Sequence, residues 1–248
     1  MRPGSLAILG IAAYSVFLVA TMPARWAAER AGARANVALH AVNGTIWNGD
    51  AQAVVGAGGG TFTLEHVRWR LVPVRLLQGS LAYEIHANGS GIKAAGEVGR
   101  KLSGWHVRDF IASADAALAT AALPWMGPWR PEGNVTLEAA SIDLDGASAR
   151  GNAVVEWRDA ASAMSEVKPL GTYRAEIAAE GPGANLRVTT VQGALRVAGQ
   201  GRLEFPSRLT FTGEARGEGD KAKALEPLLN LIGPARPDGA RAIDWRTR

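Results

Sequence analysis

The chain has 248 residues, which is enough for one large β domain or two small ones. It contains no cysteine, and this excludes both a disulfide framework and a metal site built on thiolates. The formal net charge is only +4 and the arginines are scattered along the chain, so nothing indicates a nucleic-acid-binding protein.

The N-terminal segment at residues 6–22 (LAILGIAAYSVFLVATM) is a run of 17 uncharged, mostly apolar residues. A helix that spans a bilayer needs about 20 such residues, with ~17 as the lower limit. The run is therefore a short transmembrane helix or the apolar part of a signal peptide. Residues 21–23 (TMP) interrupt the small residues that a signal-peptide cleavage site would need around Ala20 and Ala24, which favours an uncleaved anchor.

The orientation of this anchor depends on the domain that follows it. Arg25, Arg30 and Arg34 come after the segment, so the positive-inside rule argues weakly against a cytoplasmic N-terminus. An apolar segment ahead of an exported domain can nevertheless be inserted with its N-terminus in the cytoplasm. We predict a short cytoplasmic N-terminus at residues 1–5, a transmembrane helix at 6–22, a juxtamembrane segment at 23–36, and a periplasmic β-rich domain at 37–248.

From residue 37 onward, apolar and polar residues alternate with the period of two that is typical of β-strands. The alternating segments recur about every 8 to 12 residues and are separated by glycine-rich turns. This pattern is typical of a sandwich, a barrel or a curved open sheet. We predict a mainly β protein in which the N-terminal helix is followed by a curved antiparallel sheet, open and barrel-like, with one or two short helices.

Two places within the alternation predict specific β features. The apolar positions change phase between Leu64 and Val67, which predicts a β-bulge in one strand. Residues 88–91 (NGSG) predict a tight hairpin turn. At the C-terminus, residues 238–248 alternate again and predict a last short strand.

Three other segments depart from the strand pattern. Residues 109–123 (DFIASADAALATAAL) predict a helix that ends at Pro124. Residues 124–131 (PWMGPWRP) predict an ordered loop, a candidate midpoint between two halves of the domain. Residues 222–232 predict a short amphipathic helix, in which Pro227 either causes a kink or marks the true start.

No group of residues in the sequence indicates catalysis or a cofactor. The histidines lack the spacing of metal ligands on a helix or a strand, and we interpret them as parts of recurring strands; they are His40, His66, His86 and His106. Asp143 and Asp145 could share a strand face and bind a cation, but the following Gly146 favours a turn. A nucleophile elbow, a phosphate-binding loop and a dinucleotide fingerprint are all absent from the sequence.

Short motifs of glycine, tryptophan and tyrosine follow one another over most of the chain. They are residues 42–49 (VNGTIWNG), 67–73 (VRWRLVP), 76–79 (LLQG), 155–157 (VEW), 169–173 (PLGTY), 193–195 (GAL) and 199–201 (GQG). In order and spacing they resemble the type II secretion system protein N family, although Ile46 stands where the family usually has leucine. The resemblance implies a structural role for the positions that carry it. They are Gly44, Thr45, Trp47, Gly49, Trp69, Pro73, Gly79, Trp157, Gly171, Tyr173, Gly193, Gly199 and Gly201.

The resemblance implies an accessory, non-catalytic inner-membrane subunit that supports export of folded proteins across the outer membrane. It implies other secretion subunits as partners and brings no catalytic residues, metal or cofactor. We place the hypothetical partner contacts at Trp125 and Trp129 in the predicted loop. Residues 44–49 behind an anchor also resemble AsmA-like envelope proteins, which implies the alternative of a β groove that binds or transfers phospholipid.

Overall fold

The computed structural model describes residues 3–26, 28, 37–57, 60–118, 120, 124–205 and 208–246, with side chains from residue 10 onward except at 57, 124 and 125. The helices that lie wholly within these described ranges are α1 (Pro3–Ala20), α2 (Pro73–Leu77) and α3 (Glu226–Ile232). The first strands are β1 (Val37–Gly44), β2 (Asn48–Ala57), β3 (Gly60–Leu71), β4 (Leu81–Gly89), β5 (Ile92–Arg100) and β6 (Trp105–Asp115). The remaining strands are β7 (Pro131–Asp145), β8 (Ser148–Ser162), β9 (Gly171–Gly181), β10 (Gly183–Gly193), β11 (Leu195–Glu204), β12 (Arg208–Gly217) and β13 (Arg241–Arg246).

All the described strands belong to one antiparallel sheet of 13 strands, whose order follows the chain from β1 to β13. Every strand pairs with its chain neighbours, so consecutive strands are joined as hairpins. The predicted mainly β class and the antiparallel sheet are therefore confirmed. Of the architectures that the sequence left open, the sandwich of two sheets does not occur among the described residues.

The register of the strands places apolar side chains on one face of the sheet. Residues directly opposite each other in paired strands point to the same side. Trp157 of β8 lies opposite Tyr173 of β9, and Ile177 of β9 lies opposite Leu186 of β10. We call this side the apolar face, and in β8 to β12 it carries Val155, Trp157, Tyr173, Ala175, Ile177, Leu186, Val188, Leu195, Val197, Leu203 and Phe211.

The opposite side of the sheet is polar and exposed. Glu176, Arg187, Gln200 and Thr212 stand in register across β9 to β12, and all four are exposed. The apolar face of the same strands is mostly half-buried instead. The alternation in the sequence therefore separates two faces of one sheet, as it does in antiparallel sheets with one solvated side.

The hydrophobic core lies against the apolar face near the C-terminal end of the chain. Its buried members come from strands, from the segment that joins β8 to β9, and from α3 with the 3₁₀ turn before it; they are Val167, Leu170, Leu195, Ala215, Leu225, Leu228 and Leu229. Leu225 in the 3₁₀ turn Lys223–Leu225 is completely buried. The short C-terminal helix is therefore packed onto the sheet rather than extended into solvent.

Most of the local β predictions are confirmed by the pairing. Ala51 pairs with Val67 while Ala53 pairs with Leu64, so two residues of β3 oppose one residue of β2 and form the predicted bulge. The hairpin at residues 88–91 closes with Ser90 and Gly91 at φ values of 50° and 75°, the positive values of a tight two-residue turn.

The C-terminal predictions are also confirmed. Pro227 lies in the first turn of α3, so it marks the start of the helix and does not kink it. The residues before it form 3₁₀ turns at Gly219–Lys221 and Lys223–Leu225. The predicted last strand is β13.

The predicted helix at residues 109–123 is wrong over residues 109–118, although Thr120 is helical. Strand β6 continues to Asp115 and is followed by the 3₁₀ turn Ala116–Leu118, while residues 119 and 121–123 lie outside the described part. Phe110 pairs with Ala139 and Ala112 with Leu137 of β7. The alanine-rich composition favours helix, but pairing with both neighbouring strands outweighs that weak local preference.

The proline-rich loop connects β6 to β7 through the 3₁₀ helix Pro124–Trp129. Because β6 and β7 pair directly, the sheet is continuous past this loop. At the other end of the chain, the side chains of residues 10–20 in α1 are all exposed. Of the helices that the structure describes, none combines the length and the hydropathy required to cross a membrane.

Candidate functional site

The turn between β1 and β2 is built by the first of the sequence motifs. Gly44 ends β1 with φ +82°, and a Cβ on it would lie 2.5 Å from the carbonyl oxygen of Asn48. The Thr45 hydroxyl oxygen accepts hydrogen bonds from the backbone N–H groups of Trp47 and Asn48, at 3.3 and 3.2 Å. A glycine and a threonine are thus required by the tightness of the turn and by its internal hydrogen bonds.

This turn binds the C-terminal end of α1. The Trp47 indole Nε1 donates to the carbonyl oxygen of Val19 at 2.8 Å, and the Ile46 N–H donates to the carbonyl oxygen of Met22 at 3.0 Å. The last carbonyls of a helix have no partner within the helix, so the Trp47 indole satisfies one of them. Pro23 and Thr45 also form an isolated β-bridge. The first motif therefore joins α1 to the sheet.

Trp69 of β3 supports the turn from the neighbouring strand. Its indole Nε1 donates to the carbonyl oxygen of Thr45 at 3.1 Å. Its ring occupies the space where Gly49 would carry a side chain, because a Cβ there would lie 2.5 Å from ring atom Cζ2. Thr45, Trp47, Gly49 and Trp69 thus meet in one place, although they belong to two sequence motifs. We call this group, with Gly44 and residues 19–23, the helix–sheet joint.

The next motif positions form α2, which covers a buried polar cluster. Pro73 starts the helix, and Gly79 just after it has φ +72°. Arg75 of α2 forms a two-pronged ion pair with Glu97 of β5, at 2.8 and 3.2 Å. His106 lies beside this pair and is 1% exposed. The cluster was missed at the sequence level because its members are non-local and no spacing connects them.

The buried cluster contains a serine, a histidine and a carboxylate, but it is not arranged as a catalytic triad. In a triad the serine and the carboxylate contact opposite nitrogens of the imidazole. Here the Ser80 hydroxyl and the Glu97 carboxylate both lie near His106 Nε2, at 3.4 and 3.6 Å. Nδ1 has no hydrogen-bond partner among the described residues. Burial lowers the pKa of His106, and the charges of Lys101 and Arg108 lower it further, so its neutral form is favoured.

We expect the free energy of unfolding to decrease as the pH is lowered, because of His106. The pKa of His106 is lowered in the folded state, so the unfolded state binds the proton more readily. The protein therefore has its full stability only above the pKa of histidine in the unfolded chain, which is about 6.5. Below that pH the free energy of unfolding should decrease by at most about 1.4 kcal/mol per pH unit, until the folded pKa is reached. Thermal unfolding of the full chain in detergent between about pH 7.5 and pH 5 measures this slope.

A matched pair of variants assigns the slope to one histidine. His106→Gln removes the titrating group from the buried site and should flatten the dependence. His66→Gln, which changes an exposed histidine of β3, should leave the dependence as it is. If the two variants show the same slope as the unmodified chain, His106 does not control it.

A second constellation of motif positions lies on the apolar face. The rings of Trp157 and Tyr173 are 6.0 Å apart between centroids and inclined at 52°. Trp157 Nε1 donates to the carbonyl oxygen of Glu132 at 3.0 Å, and the Tyr173 hydroxyl donates to the carbonyl oxygen of Leu195 at 3.0 Å. Burial raises the pKa of Tyr173 above its ordinary value. The two aromatic residues thus connect β7, β8, β9 and β11.

Four motif glycines allow close contacts around this constellation. Gly171 and Gly193 pair across β9 and β10, and a Cβ on Gly193 would overlap the Cα of Gly171. Gly199 and Gly201 lie beside Phe211 of β12, because Cβ atoms there would be 2.5 and 3.1 Å from its ring. These four motif glycines are therefore positions at which a neighbouring strand or ring occupies the place of a side chain.

An apolar cavity of about 270 Å³ lies next to Trp157 and Tyr173. One wall is the apolar face, which contributes these two rings and Val188. Trp129 also lines the cavity, and it is half-buried and packed against the hydrophobic core. The structure therefore places Trp129 in a cavity wall, while the side chain of Trp125 lies outside the described part of the molecule.

The remaining candidates from the sequence do not converge on a site. Asp145 and Gly146 stand at the turn between β7 and β8, which confirms the interpretation as a turn, and Asp143 pairs with Lys101 at 3.2 Å. Within the described ranges, no three histidine or acidic side chains are grouped so that they could hold a metal ion.

Comparisons with known proteins agree with the family resemblance of the sequence. The model of the family "Type II secretion system (T2SS), protein N" matches residues 35–244. A type II secretion system protein N of Pectobacterium carotovorum subsp. carotovorum is 26% identical over 262 residues, covering 100% of this chain and 99% of that protein. No solved structure matches the chain. The family match covers most of the chain, and the chain therefore belongs to the type II secretion system protein N family.

Proposed function

We propose that this chain is a non-catalytic accessory subunit of the bacterial type II secretion system, supporting the export of folded proteins across the outer membrane. Family membership over residues 35–244 supports a role in secretion. In this proposal residues 6–22 anchor the chain in the inner membrane as a single span. The sheet from residue 37 onward then lies in the periplasm, where exported proteins pass.

The observation that carries this proposal is the helix–sheet joint. The large apolar side chains that the structure describes in α1, from Ile11 onward, are exposed and do not belong to the core; Val16 is 69% exposed and Phe17 is 61% exposed. The helix is nevertheless tied to the sheet at its C-terminal end by Trp47 and Ile46. An apolar helix that is exposed over residues 10–20 and fixed at its C-terminal end suits a membrane anchor that holds the sheet close to the bilayer.

The partners in this proposal are other secretion subunits at the inner membrane or in the periplasm. The contact surface is placed at the loop that carries Trp125 and Trp129, between β6 and β7. Trp129 also packs against the core, so its removal affects both the surface and the stability of the domain. A test of this surface must therefore measure folding together with partner capture.

Cross-linking in membranes tests the proposed function. The tagged full chain, cross-linked in cells that carry a complete secretion system, should capture other secretion subunits of the inner membrane. A chain with Trp125→Ala and Trp129→Ala together should capture less while it still unfolds cooperatively on heating. Trp105→Ala, at an exposed tryptophan of β6, serves as the control and should capture as much as the unmodified chain.

Two outcomes of this experiment test the role in secretion and the tryptophan contact surface separately. If the unmodified chain captures no secretion subunit, the proposed role in secretion is contradicted. If it captures them and the double variant captures an equal amount, the role stands and the tryptophan surface does not.

A further inference from the structure

The apolar cavity behind Trp129 has three walls. The apolar face of the sheet forms the first, with Val188 and Val197 on adjacent strands. The second is the connection between β6 and β7, which contributes Met126 and Trp129. Helix α3 forms the third with Leu228 and Ile232. Elements from across the C-terminal half therefore surround one space that no side chain fills.

Three polar side chains that line this cavity donate to carbonyl oxygens within the protein. The Tyr173 hydroxyl donates to the Leu195 carbonyl, and the Trp157 indole donates to the Glu132 carbonyl. The Ser162 hydroxyl donates to the carbonyl oxygen of Trp129 at 2.5 Å. These three donors are therefore already satisfied within the protein, and apart from the Trp129 indole the other lining side chains carry no hydrogen-bond donor that would hold a polar ligand in place. Apolar cavities of roughly 150 Å³ stay dry and accept hydrocarbon, and this one is larger.

We propose that the cavity binds the end of an alkyl chain from a lipid. A methylene chain brings no polar group, so it loses no hydrogen bond when it enters. A peptide segment would bury its own N–H and C=O groups opposite carbon atoms, which costs several kcal/mol for each unpaired group. The volume of about 270 Å³ is close to the ~300 Å³ lower limit of ordinary ligand pockets, which suits the end of one chain and not a whole lipid.

The apolar face offers a path for the rest of the alkyl chain. Ile177 and Leu186 lie opposite each other on β9 and β10, next along the apolar face to the pair that contains Val188. Both are half-buried. Charged residues of the same strands, such as Glu176 and Arg187, point to the opposite side. A chain that ends in the cavity can therefore lie along the apolar face without meeting a charge there. The lipid site is independent of the proposed role in secretion, because it needs no secretion subunit.

Photolabelling of the full chain tests this site. The chain is extracted from membranes in polymer-bounded nanodiscs and exchanged with palmitic acid that carries a mid-chain diazirine, or with phosphatidylglycerol that carries the same acyl group. After illumination, mass spectrometry of peptides should find adducts on residues 126–131 and on α3. Excess unlabelled palmitate should remove these adducts if the free acid binds, and excess unlabelled phosphatidylglycerol should remove them if the phospholipid binds.

Neighbouring positions on β11 provide a matched control. Val197→Trp fills the cavity from the apolar face and should abolish the adducts, whereas Ala198→Trp changes the exposed side of the same strand and should preserve them. Val188→Phe replaces Val197→Trp if the latter fails to unfold cooperatively on heating. Adducts confined to α1, adducts that excess lipid does not remove, or adducts that survive in a folded cavity-filling variant would overturn the proposal.

Discussion

Gly193→Ala is expected to lower the free energy of unfolding by more than about 3 kcal/mol, a large effect for a substitution that adds one methyl group. Gly193 has φ +137°, which costs about 1–3 kcal/mol for a residue with a side chain. Its new Cβ would also overlap the Cα of Gly171 on the paired strand. Neither atom belongs to a flexible side chain, so the two strands must separate locally.

The separation would reach the hydrophobic core. Leu195 follows two residues later, is 4% exposed, and accepts the hydrogen bond of Tyr173. Its N–H donates to the carbonyl oxygen of Leu170, which belongs to the same core. A shift at the pairing of Gly171 and Gly193 therefore displaces a buried leucine and the aromatic pair beside it.

Gly181→Ala is the control for backbone strain alone. Gly181 has φ +73°, but no atom lies within 4 Å of the position of its Cβ. This variant should lose only about 1–2 kcal/mol. Urea unfolding of the full chain, followed by tryptophan fluorescence, compares the two free energies. Equal losses would show that the strands can accommodate the methyl group at Gly193 and that close approach is not the reason for glycine there.

Much of the fold follows from local patterns in the sequence. Alternation has one physical cause, which is that one face of each strand is apolar and the other meets solvent. The bulge between Leu64 and Val67 and the turn at Ser90 and Gly91 are also local, so residue order alone predicts them. The number of strands in one sheet depends on all the strand pairings together. Local patterns therefore could not exclude a sandwich of two sheets.

Residues 109–115 show where local reasoning fails. Their alanines and the acidic Asp109 favour a helix, yet the segment is paired on both sides, by β5 and by β7. Those partners are separated from it along the chain and leave no trace in the segment itself. Asp109 has φ +47° at a register shift opposite β5, a conformation that composition does not indicate.

The candidate sites were predictable to different degrees. The resemblance predicts that the motif glycines and tryptophans are structural positions. That Trp47 contacts α1 and that Trp69 fills the space over Gly49 depends on the three-dimensional arrangement. The His106 cluster and the cavity could not be found, because each draws single residues from several separate elements. The resemblance therefore gave the family, and the geometry gave the joint and the cavity.

Removing residues 6–22 is expected to have the largest effect on function, because in our proposal the segment is the only attachment to the membrane. The shortened chain should lose its resistance to carbonate extraction from membranes. A chain in which residues 6–22 are replaced by an unrelated apolar segment of equal length should remain in the membrane. Trp47→Phe should also remain there, since it removes only the hydrogen bond to Val19 and keeps the anchor.

Secretion of a folded exoprotein by a strain that lacks this chain decides whether the anchored sheet serves export. We expect the exoprotein to accumulate in the periplasm of that strain. The full chain and the chain with the replaced apolar segment should restore its release into the medium, and the chain without residues 6–22 should not. Normal secretion without the chain, or full restoration by the chain that lacks the anchor, would contradict an inner-membrane subunit that supports export.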